Sequence, residues 1–483
     1  MSRIPDQTER PNVMMICVDH WPGQLLGCAG HERILTPTLD TLAECGVRFS
    51  EAYSTTPTCI PARRALMTGT TAQTHGDRVF NEHGRMEPSL KTLPQVFRDN
   101  GYQAYAVGKL HVYPQRDRIG FDEVTLCEEG RHHLGGGVDD FEIFLKEQGY
   151  AGQELSHAMG NNMYTVRPWH LPEHCHPTNW TVREMSKVIA RRNPDKPSFW
   201  YCSFIAPHPP VTPPQEYLDM YRAVGVDEPF MGDWARNFDA LPYALKPRAY
   251  NWRLSATATR LAREGFYAQC SYIDHQIRLL IGKLREEGLL DNTIILFISD
   301  HGDMLGNHGL WAKPPMQEWA AKIPIILVPT DACTRVGHHQ IDDRLVALRD
   351  VMPTLLDLCD LPIPETVEGI SMIGEAYRDH LYCEHYENEL ARRMVRADKY
   401  KLIWYPVGNR IHLFDLEQDP QEVHDVSDDP GYAAIRQQLE ELMVANLYGG
   451  DLNWVEDGKL IGLPDKVFSP IPNRSLFEQR GYR

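Results

Sequence analysis

Several apolar runs in this chain share a feature that narrows its possible folds: each closes on a polar residue able to do chemistry. Asn12–Val18 (NVMMICV) leads into Asp19, and Tyr102–Val107 (YQAYAV) leads through Gly108 into Lys109 and His111. Phe199–Ala206 (FWYCSFIA) leads through Pro207 into His208, and Thr293–Ser299 (TIILFIS) leads into Asp300 and His301. Lys322–Val328 (KIPIILV) is a further buried run. The runs are continuous rather than alternating, partly β-branched and aromatic, and bounded by Gly or Pro, which is how strands covered on both faces read. Between them lie helical patterns at Pro37–Cys45, Thr92–Asn100, Val182–Ala190 and Arg263–Glu287, the last with Phe266, Ile273, Ile277, Leu280 and Leu284 at helical spacing. Alternating strands and helices predict an α/β fold with an open, mostly parallel sheet sandwiched by helices. Ligands of such sheets bind outside the carboxyl ends of the strands. Four strands therefore deliver candidate residues to one edge.

With 483 residues there is room for one large α/β domain, placed over residues 1–380, and a smaller α+β subdomain over 381–483. In the second part, Arg393–Tyr405 and Arg410–Leu416 read as short antiparallel strands joined by a Pro-Val-Gly-Asn turn. Glu417–Asp429 is an acidic connector, Tyr432–Leu447 an amphipathic helix, and the chain from Asp451 an extended tail suited to the surface or to a homo-oligomeric contact. Residues 128–180, rich in Gly, His and Pro, read as an irregular insertion that shapes a substrate pocket.

The net charge of −17 argues against nucleic acid or an anionic membrane as a partner. No apolar run is long enough to span a bilayer, and the polar start MSRIPDQTERP, without a secretory apolar core, points to the cytoplasm. Eleven scattered cysteines without a CxxC pair fit neither a disulfide framework nor a zinc ribbon. An acidic chain that binds an anion must gather its positive charge locally.

The sharpest local motif is Cys59-Ile60-Pro61-Ala62-Arg63, continuing through Arg64 to Gly69. Pro61 suits the first position of a helix and Gly69 its end, which puts Cys59 at a helix N-terminus where an anion is favoured. C-x-P-x-R resembles the signature of the type I sulfatases of the alkaline phosphatase superfamily. Ser299-Asp300-His301-Gly302-Asp303, Thr36-Pro37-Thr38-Leu39-Asp40 and Val107-Gly108-Lys109-Leu110-His111 extend the resemblance. So do Asp350–Leu358 and Leu413-Phe414-Asp415-Leu416 with Asp419-Pro420.

The resemblance implies an alkaline phosphatase-like fold and a sulfuric ester hydrolase acting on aryl or carbohydrate sulfates. It implies that a maturation enzyme oxidises Cys59 to formylglycine, whose metal-bound hydrate attacks sulfur and forms a sulfated enzyme intermediate. Asp19, Cys59, Asp300 and His301 are then the metal ligands, for Ca²⁺ first, with Mn²⁺ or Mg²⁺ as alternatives. Arg63 and Lys109 hold the diol and sulfate, His111 assists aldehyde regeneration, and His208 and Lys313 contact sulfate and the leaving oxygen. Many sulfatases carry two adjacent Asp where this chain has Asp19-His20, so the resemblance leaves the metal and the role of His20 open. Phosphonate monoester or phosphodiester hydrolases on the same scaffold are the alternative reading. They usually replace the Lys109/His111 pair with neutral residues, so its retention favours sulfate. Asn81, His83 and His308 stand near the motifs as weaker pocket candidates. His132, His133, His170, His174 and His176 read as solvated loop histidines.

Overall fold

A computed structural model of the chain describes residues 10–87, 89–130, 137–313 and 315–470. The polar start up to residue 9, His132, His133 and the end of the tail lie outside the described residues.

The central sheet has eight strands: β1 (Asn12–Asp19), β2 (Val47–Phe49), β3 (Gln103–Gly108), β4 (Glu123–Leu126), β5 (Ser198–Pro207), β6 (Thr293–Ser299), β7 (Ile325–Val328) and β8 (Gln340–Asp342). Their spatial order is β4-β3-β5-β1-β6-β7-β2-β8. From β4 to β6 every pairing is parallel, whereas β7 runs antiparallel to both β6 and β2. The expectation of a mostly parallel sheet is met, with the Lys322–Val328 run as the reversed strand.

The pleat explains why the run in β1 is continuous. Met14, Ile16 and Val18 enter one core with Phe297, while Val13, Met15 and Cys17 enter a second core with Leu296 and Ile298. Successive side chains of a strand point to opposite faces, so a strand with a core on both sides must be apolar at every position. The first core is closed by α3 (Pro177–Ala190) and α5 (Ala256–Glu286), the second by α2 (Cys59–Thr68) and α6 (Val351–Leu358), with α1 (Pro37–Glu44) and α4 (Gln215–Val224) flanking the first. The 31-residue α5 starts at Ser255, whose side chain accepts from the Ala258 N–H, and ends on Lys283 and Arg285, which suit the helix dipole.

A separate antiparallel sheet is formed by β9 (His380–His385), β10 (Arg392–Ala397), β11 (Tyr400–Tyr405) and β12 (Arg410–Asp415). It packs on α7 (Ala433–Asn446) through Val395, Leu402, Trp404, Leu413, Leu439 and Met443. The edge strand β9 was not read from the sequence. The tail from Asp451 is less extended than expected, beginning with a 3₁₀ segment and a small hairpin of Val455–Glu456 with Lys459–Leu460. The insertion is not irregular throughout: Asp139 and Glu142 form a capping box on a helix over Asp140–Glu147. Among the described residues no helix is long and apolar enough to cross a membrane.

Candidate active site

The carboxyl ends of β1, β3, β5 and β6 carry Asp19, Lys109, His208 and Asp300-His301 to one place, and α2 brings Cys59 and Arg63 to it from the side. Helix α2 starts at Cys59 itself, so Pro61 is its third residue rather than its first; the first-turn N–H groups have no intrahelical partner, and proline costs nothing there. Gly69 closes the helix at φ 68°, as expected. Thr58 at the N-cap offers no side-chain acceptor to the helix start.

Asp19, His20, Cys59 and His301 each present a ligand-type atom within 4.8 Å of the others, all fully buried. Cys59 Sγ lies 3.3 Å from His301 Nε2 and 3.7 Å from Asp19 Oδ1, and His301 Nε2 is 3.4 Å from Asp19 Oδ1. Donors on one ion at roughly 2.1–2.3 Å in a tetrahedral arrangement are spaced by about 1.6 times that length, so this set fits a small divalent cation. Asp300 stands one step back: its Oδ2 accepts from Arg63 Nε at 2.9 Å and its Oδ1 is 3.6 Å from His301 Nε2. His20, whose role the sequence left open, is inside the cluster.

Positive charge converges on the same point, as an acidic chain requires. Arg63 Nη1 donates to the carbonyl of Lys109, Tyr201 Oη and Ser203 Oγ at 3.0, 3.1 and 2.9 Å. These bonds fix the guanidinium plane and leave Nη2 buried without a hydrogen-bond partner, 3.7 Å from Asp19 Oδ2. Lys109 Nζ is clamped between Asp19 and Glu129. Lys313 Nζ touches Cys59 Sγ at 3.1 Å and donates to His20 Nε2. Burial and Asp19 push the Cys59 thiol up, but Lys313, Lys109 and His301 overrule them and hold it below the ordinary thiol range. Burial works against a charged Lys109 as well, yet Asp19 and Glu129 raise its pKa and keep it protonated. Burial and Lys313 bring His208 down to about 3, so its ring is neutral. Its Nδ1 bonds the Pro209 carbonyl at 2.5 Å, and its buried Nε2 has no hydrogen-bond partner.

His111 is placed differently from the other predicted residues. Its N–H donates to Glu128, its ring meets Phe80 edge-on at 5.5 Å, and it lines a cleft with Ile60, Arg64 and Tyr113. Arg64 faces that cleft too, bonded to the Gly84 carbonyl. Asn81 and His83 are exposed. His308 is buried against Trp234 and Phe230, and its Nδ1 accepts from the Gly232 N–H at 3.0 Å, a structural position. His176 is not a solvated loop residue: it is 1% exposed and caps α3 through the Thr178 N–H.

Three residues at the site were given no role from the sequence, although Asp303 closes the Ser299–Asp303 motif. Glu129, on Lys109, lies in the Gly-rich insertion. Asp303 accepts from the His20 ring at 2.7 Å, and Tyr164 donates to the same carboxylate. A buried charge must be paired, so a carboxylate partner for Lys109 was to be expected; which residue supplied it was not legible. Beside the cluster, Glu129, Asp139, Phe141, Trp169 and His208 line a pocket, so the insertion does help to form one next to the site.

Comparison with known proteins places this geometry. The sulfatase family model matches residues 11–361, and the N-sulphoglucosamine sulphohydrolase C-terminal model matches residues 306–447. An arylsulfatase of Clostridium perfringens is 33% identical over 481 residues, covering 96% of this chain and 100% of that protein. A choline-sulfatase of Rhizobium meliloti is 26% identical, covering 88% and 83% of the two chains. Among solved structures, the phosphonate monoester hydrolase of Agrobacterium radiobacter shares the fold with a TM-score of 0.76 at 22% identity, over 90% of this chain and 95% of that one. BT4656, in complex with its substrate D-glucosamine-2-N,6-O-disulfate, has a TM-score of 0.72 at 19% identity, over 90% and 97%. Matched by the sulfatase model over most of its length and aligned with an arylsulfatase over nearly all of it, the chain belongs to the sulfatase family, sulfuric ester hydrolases on the alkaline phosphatase-like fold.

Proposed function

We propose that the protein hydrolyses sulfate monoesters, aryl or carbohydrate, with residue 59 converted from cysteine to formylglycine and then acting, as the hydrate, as the nucleophile. The observation that carries this reading is the convergence on Cys59 of Asp19, His20 and His301 on one side and Lys109, Lys313 and Arg63 on the other. Sγ is bonded to Cβ and stands where an oxygen on that carbon sits after conversion. Asp19, His20 and His301, with residue 59 and nearby Asp300, would hold a divalent cation, which would supply Lewis-acid activation of the hydrate and charge neutralisation on the group transferred.

The chain's own residues account for the rest of the chemistry. Arg63 offers Nη2, the one guanidinium nitrogen without a hydrogen bond, to an oxygen of residue 59 or of the sulfuryl group. Protonated Lys109 and the Lys313 ammonium flank the same position and counter charge as it moves onto the sulfuryl oxygens. His208 donates Nδ1–H to Pro209, so Nε2 is the open position on its ring. An anionic ester beside it favours the imidazolium: Nε2 gains a proton from solvent as the ester binds and gives it to the leaving oxygen, while the attacking hydroxyl releases its own proton to solvent. Attack forms a sulfate ester on residue 59, and loss of a proton from the second hydroxyl to solvent then expels sulfate and restores the aldehyde; His111, given this work by resemblance, lines the neighbouring cleft with Ile60, Arg64 and Tyr113 and would have to turn out of it to take that proton.

The competing reading is phosphonate monoester hydrolysis, favoured by the fold shared with the Agrobacterium enzyme. Lys109, buried and paired at the reaction centre, speaks for sulfate. Two measurements test the proposal. Peptide mass spectrometry of protein from a host with the maturation enzyme is expected to find aldehyde or hydrate at position 59. The kcat/KM for an aryl sulfate is expected to exceed that for the matching aryl phosphonate monoester, and the reverse order would overturn the assignment.

A further inference from the structure

His20 follows the last residue of β1 with φ 74°, in the left-handed region where a residue with a Cβ is strained. Such strain persists only where the surroundings over-determine the conformation. Here the ring lies within the cluster formed with Asp19, Cys59 and His301. The partners of its two nitrogens define the tautomer independently. Nδ1 lies 2.7 Å from Asp303 Oδ2, and a carboxylate accepts. Nε2 is bonded by the Lys313 ammonium, which has no lone pair and can only donate. The ring therefore carries its proton on Nδ1 and its lone pair on Nε2, which faces Asp19 Oδ1 at 3.7 Å. Asp303 is itself pinned, with Oδ1 accepting from the N–H groups of Leu305 and Ala312 at 2.9 and 3.0 Å and Oδ2 accepting from Tyr164. A carboxylate that fixes the outer nitrogen of an imidazole so that the inner one presents its lone pair is the arrangement that orients a metal-ligating histidine.

We propose that His20 Nε2 is a direct metal ligand held by the Asp303–Tyr164 pair, and that the resulting two-imidazole donor set selects a borderline ion such as Mn²⁺ or Zn²⁺ over Ca²⁺. The inference rests on the metal-dependent reading above and reverses the ion order expected from the sequence. Ca²⁺ takes six to eight oxygen ligands in a flexible shell, whereas imidazole suits borderline transition ions. Of the five residues around the ion position, His20 and His301 offer imidazole nitrogen, and Asp19, Asp300 and the oxygen of converted residue 59 complete the shell. Lys313, which now donates to His20 Nε2, already contacts residue 59 and keeps that partner when an ion takes the lone pair.

The test uses full-length converted protein, stripped with a chelator and titrated with Mn²⁺, Zn²⁺, Ca²⁺ and Mg²⁺ by calorimetry and by thermal shift. Wild type is expected to bind Mn²⁺ at least about tenfold tighter than Ca²⁺, since Ca²⁺ takes oxygen ligands and gains little from two imidazole nitrogens. Most sites favour Zn²⁺ over Ca²⁺ to some degree, so the decisive quantity is the change in the Mn²⁺/Ca²⁺ ratio on His20→Asp and His20→Asn. Asp and Asn tolerate the left-handed backbone, and two variants guard against one failing to fold. Both are expected to lower the ratio about tenfold or more. Asp303→Asn is expected to weaken Mn²⁺ binding roughly 10–100-fold while keeping the order of the ions. A wild-type preference for Ca²⁺, or a ratio unchanged in the folded His20 variants, overturns the proposal and leaves metal dependence standing. Failure of wild type to bind any divalent ion removes both.

Discussion

Replacing Arg63 with lysine keeps the charge and removes the fork, which separates electrostatics from geometry at the site. Arg63 uses Nε for Asp300 and Nη1 for the Lys109 carbonyl, Tyr201 and Ser203, which leaves Nη2 for the reacting group. A lysine ammonium is a point donor on a shorter stem and cannot hold both sets of partners while also reaching residue 59. The rate should therefore lose one hydrogen bond to a charged group, about 1.5–3 kcal/mol. At about 1.4 kcal/mol per decade this is a fall of roughly 10- to 150-fold in kcat/KM. The assay is initial-rate hydrolysis of 4-nitrophenyl sulfate with conversion of Cys59 checked in each sample, since a variant that escapes maturation would also read as inactive. Arg64→Lys is the control. Arg64 is buried, bonds Gly84 and pairs with Asp77 at 3.4 Å, and none of these contacts reaches Cys59 or the metal-type donors, so kcat/KM should stay within about threefold of wild type. Equal losses in the two variants, or an Arg63→Lys enzyme within threefold of wild type, would refute the assignment of Nη2 to the reacting group.

Cys59→Ala should abolish turnover of aryl sulfate while the far-UV and near-UV spectra stay native, because the side chain it deletes is small and the surrounding charges keep one another paired. Asp451→Asn should do the opposite. Asp451 is 1% exposed and accepts from both Arg393 and Arg78, so its loss leaves two buried guanidinium groups under-compensated; a cost of about 3–5 kcal/mol is expected in denaturant unfolding, with kcat of the surviving folded enzyme near wild type. The pH dependence of stability should carry the mark of Asp139. Its burial outweighs two backbone donors, from Glu128 and Glu142, and raises its pKa to about 7. A carboxyl with a folded-state pKa above its unfolded value costs stability as pH rises between the two values. Asp139→Asn should therefore gain relative to wild type from about pH 4 to pH 7 and level off above; a gain that instead grows toward acid pH would contradict the burial argument.

Much of the fold was legible because its signals are local. A strand with a core on each face must be apolar at every position, and Asn12–Val18 and Thr293–Ser299 announce themselves that way. The long helix Ala256–Glu286 repeats at helical period in its second half, where Ile273, Ile277, Leu280 and Leu284 form one buried stripe, whereas residues 262–274 are buried on every face. Short elements gave less. The three-residue strands at Val47 and Gln340 and the edge strand His380–His385 have too few residues to establish a period, and their assignment depends on the neighbours they pair with.

The sequence by itself determined that chemistry-bearing residues sit at strand ends and at a helix start, because those positions follow from runs, turns and the C-x-P-x-R motif, each confined to a few neighbouring residues. Only the tertiary structure decided which of them meet. His20 and Asp303 are 283 residues apart and Cys59 and Lys313 are 254 apart, and nothing local records that their atoms touch. The register of parallel strands and the pairing demands of buried charge bring them together. The same long-range register sends His111 to a neighbouring cleft, although it lies two residues from Lys109.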